Sequence, residues 1–296
     1  MKFKHILVIF FVVFIAAGAL AQEKIGITGT FEWDIMQIKG TVSLNLASAG
    51  IRLPAGRSQG ETLLNAGYLR LMCPGILELQ VDSSSTIGDL IDRGEFNLYE
   101  VEALVLGAHS VPPALSPDML NMTAYYTLPI SNISSALLRH GRVIPTVRTL
   151  TPVSAANYTG IIIIASEEIP VHGMRSTALP VPCLFPKIWD SEMNLIYDRG
   201  MLESRENSMV HYTSVESIFQ KNPSGLSPEL QKIVGDRPLR IFANGVYGIK
   251  PTDLIIDRND AMLIISSDSN RRLLSEGKVA VILDDSVLKR EFKIGE

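Results

Sequence analysis

The sequence has few of the residues that carry most enzyme and metal chemistry. Its 296 residues include only five histidines and two cysteines. No H-E-x-x-H motif, closely spaced Cys/His cluster or Ca²⁺-binding loop is present, so we predict no metal site. The histidines share no local motif and are His5, His109, His140, His172 and His211.

Motifs that bind nucleotides are also missing. The chain has no P-loop and no G-x-G-x-x-G, so we predict no bound cofactor. The segment ANGVYGIK, residues 243–250, has two glycines but lacks the rest of either nucleotide motif. It predicts a tight turn between strands, because glycine tolerates positive φ.

A strong charge of either sign is absent as well. The sequence has 27 basic and 31 acidic residues, for a formal net charge of −4. No basic cluster occurs, which argues against nucleic acid or an anionic membrane as partner. The hydrophobic content of 46% is enough to fill the cores of two ordinary domains, so disorder is not expected.

The longest apolar run stands at the N-terminus. Lys2 and Lys4 precede the apolar residues 6–20, and Ala19-Leu20-Ala21 has the pattern of a cleavage site. The run is shorter than the roughly 20 residues that span a bilayer, which favours a signal peptide, residues 1–21, over an uncleaved anchor. No cysteine stands at the predicted cleavage point, and no later apolar run has transmembrane length, so we expect no lipid or transmembrane anchor after cleavage.

The two cysteines, Cys73 and Cys183, leave two possibilities open. An exported pair can form a disulfide. Both residues have apolar neighbours, however, and they lie in different predicted domains. We favour two buried free thiols over a disulfide.

The pattern of elements predicts an α+β protein with two small sheet-plus-helix domains. The proposed bounds are 22–141 and 159–290, joined by a linker over 142–158 that has two prolines and no clear period. Strands outnumber helices and lie close together in the sequence, which favours this layout over one doubly wound domain.

In the first domain we predict a hairpin over 29–47, a helix stopped by Pro74-Gly75 and a strand from Ile76 to Val81. Thr86 is predicted to cap a short helix with Asp89 three residues later. The segment 96–108 is ambiguous between helix and strand, and a helix ending at Gly141 closes the domain.

The second domain is predicted to begin with a central strand. Ile161 to Ile164 form an unbroken apolar run, as in a strand buried on both faces. Alternation places Ile161 and Ile163 on one face and Ile162 and Ile164 on the other. The run is followed by Glu167 and Glu168, which we interpret as a solvated strand exit. A closing strand is predicted at KVAVILDD, residues 278–285.

Three acidic pairs could supply general acid or base groups, and we assign none of them a catalytic role. They are Glu167-Glu168, Asp284-Asp285 and Asp257/Asp260. Neighbours in a strand point to opposite faces, so the first two pairs do not converge easily. Asn259 or Asp260 is a plausible helix N-cap. The alternative is a cell-wall hydrolase with Glu167 or Glu168 as its acid.

Two further features allow a binding function. Trp33 and Trp189, together with tyrosine residues, could form a platform for a carbohydrate, peptidoglycan or small ligand, although such tryptophans more often fill a core beside strands. The segment VDSSSTIGDLIDRGE, residues 81–95, could be a polar binding patch. The simpler interpretation is a strand end followed by capping serine and threonine residues.

Four ordered blocks carry a resemblance to a known group. They are YTGIIII from Tyr158, PCLFPKIWDSEMNLIYD from Pro182, PLRIFANGVYGIKPTDLIIDRNDA from Pro238 and VAVILDD from Val279. With these blocks the second half resembles bacterial envelope proteins related to flagellar assembly proteins P and T. The first half, with Trp33 in its first strand and VDSSST at 81–86, resembles the LPP-type lipoprotein domain of the same group.

The resemblance implies a non-enzymatic structural or assembly protein of the bacterial periplasm and cell envelope. Relatives in the group form or assemble rings around the flagellar basal body, which makes bacterial motility, envelope partners and homo-oligomers the expected context. The chain departs from the group in lacking the anchoring cysteine and in having Ile164-Ala165-Ser166 where Asp-Ala is usual.

Overall fold

The computed structural model describes residues 25–138, 143–149, 154–202 and 210–293. Two sheets, each with its own helices, confirm the predicted α+β class. The predicted signal peptide, His140 and Gly141 lie outside the described residues. The helix predicted to end at Gly141 instead ends at Leu137, because the backbone of Leu138 is already extended. The described parts of the predicted linker, 143–149 and 154–158, contain no helix or strand.

The first domain is a five-stranded antiparallel sheet with helices over one face. Its strand order is β14-β1-β2-β4-β3, so the last strand of the chain returns to pair with the first. The strands are β1 (Ile25–Glu32), β2 (Gln37–Asn45), β3 (His109–Leu115), β4 (Asn121–Pro129) and β14 (Lys289–Lys293). The helices are α1 (Arg57–Leu77), α2 (Ile87–Asp92), α3 (Leu98–Leu106) and α4 (Ile130–Leu137).

Helix α1 lies close against β2 because glycine permits the approach. A Cβ at Gly40 would stand 3.2 Å from the Met72 sulfur and 3.3 Å from the Tyr68 ring. Tyr68 in turn stacks on Tyr126 of β4, with ring centroids 3.7 Å apart. Sheet and helix thus share one tightly packed interface.

The predicted end of α1 at Pro74-Gly75 and the predicted strand from Ile76 to Val81 are wrong. The helix continues to Leu77, and Met72 and Ile76 are fully buried on its core side. Burial of this last turn outweighs the local cost of proline and glycine. After Leu79 the chain forms a turn in which only Gln80 makes an isolated bridge, to Thr86.

The second domain has a seven-stranded mixed sheet in the order β10-β13-β5-β11-β12-β8-β9. Its strands are β5 (Ile161–Ile164), β8 (Ile188–Asp190), β9 (Leu195–Tyr197), β10 (His211–Ser214), β11 (Leu239–Tyr247), β12 (Asp253–Ile256) and β13 (Val279–Leu283). A separate two-stranded ribbon pairs β6 (Ile169–Pro170) with β7 (Thr177–Ala178). The helices are α5 (Pro228–Val234), α6 (Arg258–Ile265), α7 (Asp268–Ser275) and α8 (Asp285–Leu288).

Strand β5 is central, as predicted. It pairs in parallel with β13 on one side and β11 on the other. Ile161 and Ile163 join the large core, whereas Ile162 packs on the opposite face in a smaller cluster with Ile218, Leu226 and Leu230. The predicted alternation is therefore confirmed. Strand β13 does not close the sheet; it lies between β10 and β5.

The helix ends show which capping predictions hold. Thr86 caps α2 in a capping box with Asp89, as predicted. Segment 96–108 resolves into helix α3. The cap of α6 is Asp257, which accepts a hydrogen bond from the Asn259 backbone N–H at 2.7 Å, so the assignment of Asn259 or Asp260 as cap is wrong. Asp257 has the extended backbone that an N-cap requires.

Candidate functional site at the domain seam

The loop from Gln80 to Thr86, here called the docking loop, inserts into the second domain. The backbone N–H of Leu184 donates to the Gln80 carbonyl at 3.0 Å, and that of Phe185 donates to the Val81 carbonyl at 2.8 Å. The backbone N–H of Lys250 donates to the Ser83 carbonyl at 3.0 Å. The serine-rich segment is thus an intramolecular contact surface rather than a free polar patch.

Asp253 of β12 fixes the tip of the docking loop. The Ser83 hydroxyl donates to its Oδ2 at 3.0 Å, and the Trp189 indole N–H donates to the same oxygen at 3.4 Å. The Lys187 backbone N–H and the Thr252 hydroxyl donate to Oδ1 at 3.2 and 3.3 Å. With 1% of its surface exposed, Asp253 satisfies four donors from both domains.

Glycine at position 248 makes room for this contact. Gly248 has φ +114°, and a Cβ there would stand 2.3 Å from Ser83 Cβ. Only glycine adopts this backbone conformation readily and leaves that space open. The turn predicted in ANGVYGIK is therefore present, with an additional role in receiving the docking loop.

Burial raises the pKa of the Asp253 carboxyl, and hydrogen bonds from Lys187, Ser83 and Trp189 offset part of the rise. A raised pKa means that the folded chain holds this proton more tightly than the unfolded chain. The contribution of Asp253 to stability is therefore greatest below its unfolded pKa, about 3.9. It falls as the pH rises until the folded pKa has been passed.

We expect the pH dependence of folding to show this titration. The free energy of unfolding of the wild type, minus that of Asp253→Asn, should decrease as the pH is raised from about 4 and then level off. Urea unfolding of residues 22–296 at a series of pH values measures the difference. A difference that grows with pH would contradict a raised pKa.

The C-terminal segment 285–293, here called the C-terminal arm, forms the second connection across the seam. It leaves the second domain through α8 and adds β14 to the first sheet beside β1. The Trp33 backbone N–H donates to the Leu288 carbonyl at 2.9 Å. The Trp33 ring meets Tyr212 of β10 edge-on at 5.5 Å, so an aromatic contact also joins the two domains.

Phe292 anchors the C-terminal arm in a socket made by two glycines. Its ring lies 4.7 Å from that of Phe31, between centroids. A Cβ at Gly29 would be 2.0 Å from the Phe292 ring, and one at Gly75 would be 2.6 Å from it. Gly75, which suggested a helix end in the sequence, thus serves packing inside the helix.

A cavity of about 770 Å³, here called the seam cavity, lies between the docking loop and the C-terminal arm. Both domains contribute to its mostly apolar wall. It is lined by Phe31, Trp33, Leu77, Glu78, Leu79, Gln80, Thr86, Val181, Pro182, Lys250, Pro251, Ser286, Val287, Lys289 and Arg290. Its volume lies in the range of about 300–1,000 Å³ that is typical of ligand pockets, and domain interfaces are a usual place for them.

The charged residues of the seam cavity are mostly cations. Arg290 Nη2 lies 3.3 Å from Glu78 Oε2. Lys289 Nζ lies 3.9 Å from Asp34 Oδ2, at the long limit of an ion pair. Lys250 is exposed and makes no ion pair with any residue in the described part of the chain. The lining carries three cations and one carboxylate.

The acidic pairs singled out from the sequence do not converge on one site. Glu167 and Glu168 are exposed after β5, and Glu168 accepts a hydrogen bond from the Thr177 hydroxyl at 2.7 Å. Asp257 caps α6, and Asp284 caps α8 by accepting from the Ser286 N–H at 2.9 Å. The prediction of a solvated strand exit is confirmed, and both aspartates have structural partners.

The remaining candidates are also dispersed. Trp33 is 4% exposed and lines the seam cavity. Trp189 is half-buried, donates a hydrogen bond to Asp253, meets the Tyr247 ring edge-on and is not part of that lining. The two tryptophans therefore form no common platform. Burial lowers the pKa of His211, so its neutral form is favoured. No group of three His, Cys, Asp or Glu residues suited to a metal occurs within the described ranges.

Both cysteines are free thiols. Cys183 is fully buried and Cys73 is half-buried. Burial raises the pKa of each thiol, which keeps the less reactive protonated form. The Tyr212 hydroxyl donates to the Cys183 carbonyl at 2.9 Å, and the ring of the same tyrosine is the one that Trp33 contacts.

Both halves of the chain match family models. Residues 24–136 are similar to the N-terminal domain of Treponema pallidum Tp0624. Residues 160–285 are similar to the second domain of the same protein. The two matches follow the order that the domain names give, and each falls within a domain predicted from the sequence. No curated protein matches the chain.

The matched segments leave out the C-terminal arm beyond residue 285. In the structure that arm completes the first sheet, so residues outside both matches join the two Tp0624-like domains. Over the described residues, none of the helices is both long and apolar enough to cross a membrane.

Sequence reasoning missed Asp253, Ser83 and Phe292 as the residues that join the domains. The sequence did contain one signal for Asp253. In DLII a single acid begins an otherwise apolar strand, and ionised side chains are rare in buried strands. No local pattern pairs it with Ser83, because the contact spans 170 positions.

Proposed function

We propose that the chain is a non-enzymatic structural or assembly protein of the bacterial periplasm, in which two domains act as one body. The observation that carries the proposal is the double connection at the seam. The docking loop enters the second domain, and the C-terminal arm returns to the first. Such a body holds surfaces on both domains at a fixed separation, which is what an assembly component needs.

The seam residues support a structural role in particular. Asp253, a buried carboxylate, is engaged by four donors and has no oxygen left free for a substrate. Its place among backbone and side-chain donors from both domains is that of a structural group. The proposal of a flagellar or cell-envelope context, with envelope proteins or further copies of the chain as partners, rests on the resemblance described above.

A deletion strain tests the proposed context. We expect loss of the gene to remove a periplasmic density at the flagellar motor in electron tomograms and to reduce motility. Expression of the full chain should restore both, whereas a Phe292→Ala chain should restore them poorly. Unchanged motility together with unchanged motor density would contradict the flagellar part of the proposal, and a chain retained in the cytoplasm on fractionation would contradict the periplasmic part.

The carboxylates after β5 allow a sharp test against a cell-wall hydrolase. We expect Glu167→Gln and Glu168→Gln to change the free energy of unfolding by less than about 0.5 kcal/mol, because both side chains are exposed. Both variants should restore the deletion strain fully. Urea unfolding and the motility assay measure these effects. Peptidoglycan degradation by the purified chain, lost in either variant, would contradict the proposal.

A binding module is the second candidate, and the seam cavity is the observation that favours it. Trp33 lines the cavity, as a ligand platform requires. Carbohydrate and peptidoglycan, however, need many hydrogen-bonding groups, whereas the cavity wall is largely apolar. Its polar Gln80 side chain is already engaged, since its Nε2 donates to the Ser85 carbonyl at 3.0 Å.

A further inference from the structure

We propose that the seam cavity binds an aliphatic carboxylate, an acyl chain with a single negative head group. The inference is independent of the scaffold role, because it rests on the lining of the cavity alone. The lining combines an apolar wall, built from both domains, with lysine charge beside that wall that no close acid among the described residues neutralises.

The wall suits a hydrocarbon chain. Phe31 and Trp33 come from the first strand and the turn after it, Val181 from the second domain and Val287 from the C-terminal arm. An acyl chain placed among them removes apolar surface from water at about 0.8 kcal/mol per buried CH₂. The volume of about 770 Å³ is large enough for a flexible acyl chain, since pockets of about 300–1,000 Å³ hold drug-sized ligands.

The cations beside the wall suit a carboxylate. Lys250 makes no ion pair within the described residues, and Lys289 has only a long contact, at 3.9 Å, with Asp34. Arg290, whose planar fork matches carboxylate and phosphate alike, is already paired with Glu78. The remaining charge is therefore that of two lysine ammonium groups, which act as point charges and complement one carboxylate.

Calorimetric titration of residues 22–296 with octanoate, decanoate and dodecanoate tests the proposal. We expect one site, with affinity rising about fourfold for each added CH₂, from ~0.8 kcal/mol per group. Dodecyltrimethylammonium, which has an alkyl chain longer by about one CH₂ and the opposite charge, should bind at least tenfold more weakly than dodecanoate. Equal binding of the two probes, or no binding of dodecanoate, would overturn the proposal.

Variants locate the site. Lys250→Gln should weaken dodecanoate about fivefold at low salt, whereas Lys232→Gln, an exposed lysine on α5, should leave binding unchanged. Val287→Trp should fill the cavity and abolish binding. Because Val287→Trp could disturb the C-terminal arm, Val181→Trp serves as a second blocking variant, and the thermal unfolding midpoint of each is measured. The proposal would be overturned if Val287→Trp and Val181→Trp both fold and still bind dodecanoate with wild-type affinity.

Discussion

Ile162→Asp is expected to prevent folding of the second domain. Ile162 has no exposed surface and lies on β5, between Arg240 of β11 and Ala280 of β13 in register. Its side chain packs with Ile218 and Leu226 in an apolar cluster, whereas the Arg240 side chain is exposed and its Nη2 donates to the Ser224 carbonyl at 2.8 Å. An unpaired buried charge costs several kcal/mol, a large part of the 5–15 kcal/mol that typically stabilises a domain.

The measurement for Ile162→Asp is circular dichroism with urea unfolding of residues 22–296. We expect the variant to lack a cooperative transition or to be insoluble. Ile162→Val is the control, because it removes one methylene and should cost only about 1 kcal/mol. A soluble Ile162→Asp chain with a wild-type unfolding midpoint would show that β5 is not a buried central strand.

Phe292→Ala is expected to have the second large effect, a loss of about 3–5 kcal/mol in the free energy of unfolding. The ring fills the space over Gly29 and Gly75 and contacts Phe31. No side chain on either glycine can close the resulting void. Loss of the ring also weakens the pairing of β14 with β1, and with it the C-terminal connection between the domains.

Urea unfolding measures the effect of Phe292→Ala, and limited proteolysis shows whether the C-terminal arm has detached. Glu291→Ala, an exposed position on the same strand, is the matched control and should change stability by less than about 0.5 kcal/mol. If the Phe292→Ala chain is as stable and as protease-resistant as this control, Phe292 does not anchor the C-terminal arm.

Local patterns predicted the elements whose determinants lie close together in the sequence. The four isoleucines of β5 and the capping box at Thr86 and Asp89 are examples, and each is present in the structure. Gly235 has φ +71°, which explains why a glycine ends α5. In these cases the residue itself determines the backbone conformation.

Patterns failed where distant packing determined the outcome. Pro74 and Gly75 are helix breakers by propensity, yet Met72 and Ile76 bury the last turn and Phe292 requires the glycine. The seam joins Ser83 to Asp253 and β1 to β14, contacts that no local period encodes. The seam cavity was therefore not predictable, although Trp33 in its wall had been singled out.

Scanning calorimetry of residues 22–296 tests most directly whether the seam makes the two domains one body. We predict a single unfolding transition in which the calorimetric enthalpy equals the van't Hoff enthalpy, as for one cooperative unit. Asp253→Ala, which leaves the Ser83 hydroxyl of the docking loop and three donors of the second domain without their acceptor, should lower the midpoint or split the transition. Two separate transitions in the wild-type chain, both unaffected by Asp253→Ala, would contradict the claim that the seam joins the two domains into one cooperative unit.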